Sequence, residues 1–311
     1  MKENDASSTA YTVIQGLLLT ARKPEFRHLI AEDTEEIGTR ILSSSKEGQK
    51  RLRQIDGKWG QTLLAGMEQL MLPNITLHYA LRKAYIERKI REALTEGVTQ
   101  VINIGAGFDT LLYRLARQYP ELNCIEVDHP ATQKIKREAL TQPALKLSNL
   151  HFLSVDFTHQ PLDDELGSFT PFDPFQHTLC LLEGVLMYLD SDQIYTLLDS
   201  LENLLHFPQR HLIFSAVEPE EAHPESFGPL LKIYLSFKKE PLQWFCMEED
   251  IPYFIDKSDF KLVETANGEH FRELFLPQYE GAVHRGEYIA YAINRKKRDP
   301  RDDYYQRDDF Y

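Results

Sequence analysis

From Val98 onward, short apolar runs alternate with amphipathic stretches. The runs are Val101–Ile104, Leu122–Val127, His151–Val155, Thr178–Leu182 and His211–Val217. The stretches between them have helical spacing. Thr110–Tyr119 puts Leu111, Leu112, Leu115 and Ala116 on one face and stops at Pro120. His129-Pro130 opens a second helix that runs to about Leu140, and Asp190–Leu205 is a third. Strands alternating with helices predict a parallel sheet covered on both faces, an α/β class. Right-handed crossovers make such a sheet doubly wound. Two further runs, Lys261–Thr265 and Tyr288–Asn294, close the pattern.

The flanks have another texture. Residues 1–97 read as a helical extension. Within it Gln61–Leu72 carries Leu63, Leu64, Met67, Leu70 and Met71 on one stripe before Pro73. Leu77–Leu94 carries Leu81, Ala84, Tyr85, Ile90 and Leu94, and Gly97 ends it. Residues 98–217 form the core. Residues 218–256 are an insertion rich in proline and aromatics: Phe227, Tyr234, Phe237, Trp244, Phe245, Tyr253 and Phe254. Residues 257–294 hold the closing strands, and residues 295–311 read as a solvated tail of mixed charge. A length of 311 residues fits one large domain or two ordinary ones; the run pattern favours a single elaborated domain, 1–311.

Composition narrows the partners. With 48 acids against 35 Lys and Arg, the formal charge is −13. That balance opposes generic nucleic-acid binding, which needs many phosphate-neutralising cations. Three scattered cysteines cannot build a disulfide framework, and Cys124 and Cys180 in apolar runs read as buried thiols. The start of the chain lacks an apolar signal core, and no apolar run approaches the ~20 residues that span a bilayer. The expectation is a cytoplasmic protein without membrane partners. Histidines and cysteines lack ligand spacing, so no metal is expected.

In open α/β sheets, ligands bind beyond the carboxyl ends of the strands. There the sequence presents Gly105-Ala106-Gly107, Asp128, Asp156 and Glu183. Glycine lets backbone approach a ligand. A dinucleotide fingerprint would need a small third position, and Thr110 stands there instead. Asp128 follows Gly105 by 23 residues, the spacing at which a carboxylate reaches a ribose diol. Its alternative role is to cap the helix after Pro130. Asp156, followed by Phe157, suits an adenine amino group beside a ring, or simply a turn. Glu183 ends a buried run and needs a cationic partner, from a ligand or from the chain's own Arg or Lys. A nucleoside, no pyrophosphate and a cationic group together point to S-adenosylmethionine.

Those same segments resemble the motifs of the leucine carboxyl methyltransferase family. The first spans Val98–Leu115. The others are Glu126-Val127-Asp128-His129-Pro130, Ser154-Val155-Asp156-Phe157 and Leu182-Glu183-Gly184-Val185-Leu186-Met187-Tyr188-Leu189, in family order. The resemblance implies a seven-stranded Rossmann-like methyltransferase sheet, mostly parallel with its last strand antiparallel. It also implies that the first 60 residues, which match poorly, help close the cofactor site; the insertion over 224–256 and the N-terminal helices read as lid and acceptor pocket. By position it implies that Gly105, Ala106 and Gly107 meet the cofactor, and that Asp128 holds the ribose. Asp156 and Phe157 would hold the adenine, and Glu183 the methionyl amino group. Arg82, on the helix before the first run, would hold the methionyl carboxylate, since guanidinium pairs bidentately with carboxylate; it reads equally as a solvated helix residue. Leu111 and His129 depart from the family's usual arginine and apolar residue.

The implied reaction moves a methyl group to an oxygen, carboxylate or hydroxyl, of a small-molecule or peptide acceptor. A carboxylate needs no base, whereas a hydroxyl does. Tyr188 and His223 are the nearest candidates, although a core aromatic and a surface histidine are the more ordinary readings of the two. Two rival classes are a nicotinamide-dependent oxidoreductase, which wants a small residue at 110, and a non-catalytic cofactor-binding interaction protein.

Overall fold

The computed structural model describes residues 6–156, 162–228 and 242–295. The amino-terminal region folds into five helices: α1 (Ser8–Ala21), α2 (Thr34–Ser43), α3 (Lys46–Asp56), α4 (Lys58–Met71) and α5 (Ile75–Thr95). Ser7 and Ser45 cap α1 and α3 by accepting the N–H of Ala10 and Gly48. Gly97, at φ +99°, turns the chain out of α5 in a conformation that favours glycine.

The alternating region follows as β1 (Gln100–Ile104), α6 (Leu111–Gln118), β2 (Asn123–Asp128), α7 (Pro130–Leu140), β3 (Leu150–Ser154), α8 (Leu162–Gly167), β4 (Thr178–Leu182), α9 (Ser191–Leu204) and β5 (Gln209–Val217). Asp190 and Gln193 close a capping box on α9. The remainder is α10 (Ile251–Ile255), β6 (Lys261–Asn267), α11 (Gly268–Phe275) and β7 (Glu287–Arg295). The strand order is β3-β2-β1-β4-β5-β7-β6. All pairings are parallel except those of β7, which inserts antiparallel between β5 and β6. This is the expected seven-stranded sheet with its last strand reversed. The short helices α8 and α11 leave no clear periodicity in so few residues.

The period of two along each strand divides the core. Ile102, Ile104, Ile125, Val127, Leu212 and Phe214 pack on one side with α8, α9 and α10. Val101, Cys124, Leu179, Leu181 and Ile213 pack on the other with α1, α2, α5, α6 and α11. On that second side the apolar residues give way, toward the carboxyl ends, to Asn103, Glu126, Asp128 and Ser215, all buried.

The expected apolar stripe on residues 61–72 lies on α4, but none of that helix is buried. Trp59, Leu63, Met67 and Leu70 are exposed. Cys124 and Cys180 are buried and free, and burial pushes the Cys180 thiol up to about 12, so it stays protonated. In the insertion, Trp244 is buried, whereas Phe245 and Tyr253 are exposed; Tyr234 and Phe237 lie outside the described residues, as do residues 296–311 of the tail. Among the described residues no helix is long and apolar enough to cross a membrane.

Candidate cofactor site at the carboxyl edge of the sheet

β1 lies between β2 and β4, so chain progression reverses there and a crevice opens beyond the carboxyl ends. The glycine turn sits at this point. Gly105 and Gly107 have φ of +73° and +49°. A Cβ on Gly105 would lie 2.4 Å from Val185 Cγ2, and one on Gly107 would lie 3.3 Å from the Cβ of Ala10. The turn is therefore bare backbone by steric necessity, with α1 laid over it. Ser7 N–H donates to Thr132 Oγ1 at 3.0 Å, tying the start of α1 to α7.

Asp128 closes β2 directly beside the turn. Its Oδ2 accepts from Gly107 N–H at 2.5 Å and its Oδ1 from His129 N–H at 2.7 Å. Burial raises its carboxyl above the ordinary range, and the two N–H bonds oppose that rise. The cap of α7 is His129, whose Nδ1 accepts from Ala131 N–H at 3.3 Å. Asp128 thus faces the glycine turn rather than capping α7, and each of its oxygens retains lone-pair capacity. His129 Nε2 lies 3.6 Å from Asp156 Oδ2, just past β3. Phe157 lies outside the described residues.

Past β4, Glu183 joins a buried charge cluster. Arg82 and Lys83 on α5 both reach it, Arg82 Nη2 at 2.6 Å from Oε1 and Lys83 Nζ at 2.7 Å from Oε2. Lys83 also holds Asp109 Oδ2 at 2.7 Å, and Arg82 Nη1 pairs with Glu287 Oε2. Glu287 in turn lies 3.1 Å from His78 Nε2. Burial works to raise the Asp109 carboxyl, yet Lys83 and Lys136 bring it down to about 2. Burial likewise opposes ionisation of Glu287, but Arg82 and His78 hold it well below the carboxylate range. Arg82 is driven upward by Glu183 and Glu287 against its own burial. Three carboxylates thus face two permanent cations, a formal excess of one negative charge. Arg82 Nε and Glu287 Oε1 are buried without a hydrogen-bond partner among the described residues. Gly184, at φ +70° beside Glu183, has open space where a Cβ would lie.

These residues fit an amino-acid end. Arg82 matches a carboxylate, Glu183 matches an ammonium, and the excess negative charge matches a sulfonium. The structure thus brings Arg82, Gly105, Ala106, Gly107, Asp128 and Glu183 to one edge, with Asp156 on the neighbouring strand end. Tyr188, in the turn after Glu183, places its hydroxyl 3.3 Å from Thr9 Oγ1 on α1. His223 turns its ring to Glu218 at 2.7 Å and Glu225 at 3.5 Å, outside the Arg82–Glu183 cluster. Sequence reasoning missed His78, Lys83, Asp109 and Glu287. His78 precedes Arg82 by one helical turn, a signal that was present; Glu287 left none.

Residues 24–202 match the leucine carboxyl methyltransferase family. A Bacillus subtilis (strain 168) protein, YktD, provisionally named an S-adenosyl-L-methionine-dependent methyltransferase, is 25% identical over 224 residues, covering 70% of this chain and 71% of that protein. A Mycobacterium tuberculosis (strain CDC 1551 / Oshkosh) protein, MT3507, provisionally named in the same way, is 25% identical over 291 residues, 88% and 78% of the two chains. A provisionally identified methyltransferase from Thermobifida fusca YX superposes with a TM-score of 0.56 at 17% identity, over 83% of this chain and 94% of that one. A DUF574 family protein from Streptomyces avermitilis MA-4680 superposes with a TM-score of 0.54 at 15% identity, over 94% and 98%. At those identities the structural likeness is one of fold. Matched over more than half its length, the chain belongs to the leucine carboxyl methyltransferase family, on the fold of the S-adenosylmethionine-dependent methyltransferases.

Proposed function

We propose that this chain moves the methyl group of S-adenosylmethionine to an oxygen of a small-molecule or peptide acceptor. The observation that carries the reading is the buried cluster beyond β4, one cation short, in line with Asp128 and the glycine turn. Arg82 takes the methionyl carboxylate and Glu183 the amino group. Asp128 takes the ribose hydroxyls, and Gly105, Ala106 and Gly107 offer bare backbone alongside. Asp156 receives the adenine. When bound, the cofactor supplies a sulfonium-activated methyl group. The protein's own work is to align an acceptor oxygen with that carbon and to exclude water. The α1 helix and Tyr188, whose hydroxyl meets Thr9 of α1, flank the acceptor side. The excess of acids supports an acceptor that is not a polyanion.

Calorimetry with S-adenosylhomocysteine tests this reading. One-to-one binding is expected, weakened about 10- to 100-fold by Asp128→Asn through loss of a charged acceptor. Absence of binding at millimolar ligand in the wild-type chain would overturn it.

A further inference from the structure

Glu183, the acid assigned to the cofactor's amino group, is held by two cations that have different second anchors. Arg82 meets Oε1 at 2.6 Å and also pairs with Glu287 on β7. Lys83, the next residue of α5, donates to Oε2 at 2.7 Å and to Asp109 Oδ2 at 2.7 Å. Asp109 belongs to the glycine turn. Its N–H donates to the Ala106 carbonyl at 3.0 Å, and its Oδ1 accepts from Leu111 N–H at 3.0 Å, at the start of α6. One ammonium therefore straps the turn after β1 to the residue after β4, the two arms of the crevice. The strap is sheltered, with side chains 15% exposed at Lys83, 6% at Asp109 and 5% at Glu183. Burial works against the charge on Lys83, and Asp109 and Glu183 together outweigh it. The backbone beside Glu183 is pinned as well, since Gly184 N–H donates to Ser215 Oγ at 2.8 Å.

We propose that Lys83 is a positioning residue for the cofactor, fixing the acid that takes the amino group relative to the turn that lies against the ribose. The inference rests on the methyltransferase reading above and adds a residue to it. Lys83 acts through Glu183 and Asp109 and is not itself a ligand of the cofactor. Arg82 cannot do the same work, because it is assigned to the methionyl carboxylate and its bond to Glu183 competes with that role. Lys83 holds Glu183 by the other oxygen and keeps its second anchor in Asp109, so its hold outlasts a turn of Arg82 toward a ligand. Without the strap, Glu183 would be a buried carboxylate free to follow Arg82. With it, the amino-acid half of the cofactor meets an acid already in place once the nucleoside half is seated. The two halves then bind as one unit, with little ordering left to oppose the second.

The test compares two probes by calorimetry on one preparation of the full chain: S-adenosylhomocysteine, which carries the amino-acid end, and 5′-methylthioadenosine, which lacks it. Lys83→Met should weaken S-adenosylhomocysteine about 10- to 100-fold, the worth of a hydrogen bond to a charged group, and leave 5′-methylthioadenosine unchanged within about twofold. Asp109→Asn keeps an oxygen for Leu111 N–H but turns a donor toward Lys83, which breaks the strap at its other end. It should reproduce the same selective loss. Equal weakening of both probes by Lys83→Met is the signature of a merely structural lysine and overturns the proposal. An S-adenosylhomocysteine affinity untouched by Asp109→Asn overturns it too, since Lys83 would then meet the ligand by itself. If Lys83→Met does not fold, Asp109→Asn decides. Failure of both probes to bind the wild type would instead count against the methyltransferase reading itself.

Discussion

On β2, Ile125 and Val127 lie to one side of the sheet while Cys124, Glu126 and Asp128 lie to the other. The same division runs across the strands. One side is a continuous apolar layer under α8, α9 and α10. The other begins apolar and becomes ionic toward the carboxyl edge, under α1 and α5. Fully burying a Leu or Ile side chain stabilises by about 1.5–3 kcal/mol. Buried ion pairs contribute little net stability, because desolvation consumes most of their attraction. The apolar side therefore holds the sheet together, and the ionic side spends stability on chemistry. Altering either side should separate the two effects.

The largest effect is expected on the ionic side. Arg82→Met leaves Glu183 and Glu287 with a shared partner missing. Stability should fall by about 3–5 kcal/mol, and S-adenosylhomocysteine binding should be lost with it. Urea melts and calorimetry on the same preparation check both. On the apolar side, Leu212→Ala should lower stability by about 2–5 kcal/mol while leaving cofactor affinity per folded molecule unchanged. A fall in affinity there would blur the division.

An intermediate effect concerns pH. Glu126, paired with Lys136 at 2.5 Å, is pushed up to about 7 from 4.5, burial outweighing the pair. The folded state then binds that proton more tightly than the unfolded state does. Its contribution is full below pH 4.5 and is lost as pH rises through about 7. Asp109 has the opposite sign: its contribution holds above 3.8 and disappears as pH falls through about 2. Glu126→Gln should flatten the decline in the urea midpoint between pH 4.5 and 7. The smallest effect belongs to α4, outside both sides: Leu63→Ser should change stability by no more than about 0.5 kcal/mol.

The strands were legible because each is a short run bounded by glycine, proline or an acid, and parallel strands buried on both sides leave that signature. The acids at their ends were legible because a carboxylate closing a buried run needs an explanation. Thr110 was read as an obstacle to a dinucleotide loop. It is buried, with Oγ1 3.4 Å from Thr34 Oγ1 on α2, so the position is filled by a contact rather than kept open. Lys83 and Asp109 were not legible, since their pairing depends on how α5 lies across the glycine turn. The α4 stripe was legible as a shared face, but periodicity shows which residues share a face, not whether anything covers it. His78 and Glu287 stand 209 residues apart, and nothing local marks either as the partner of the other.

That separation has a consequence for how the protein is made. Arg82 and His78 are synthesised early, yet the carboxylate that joins them arrives on the strand that slots between β5 and β6. Until that strand has left the ribosome and seated, α5 carries a buried guanidinium without half of its counter-charge. Any nascent fragment ending before residue 287 should therefore be unable to assemble the site, however complete its glycine turn.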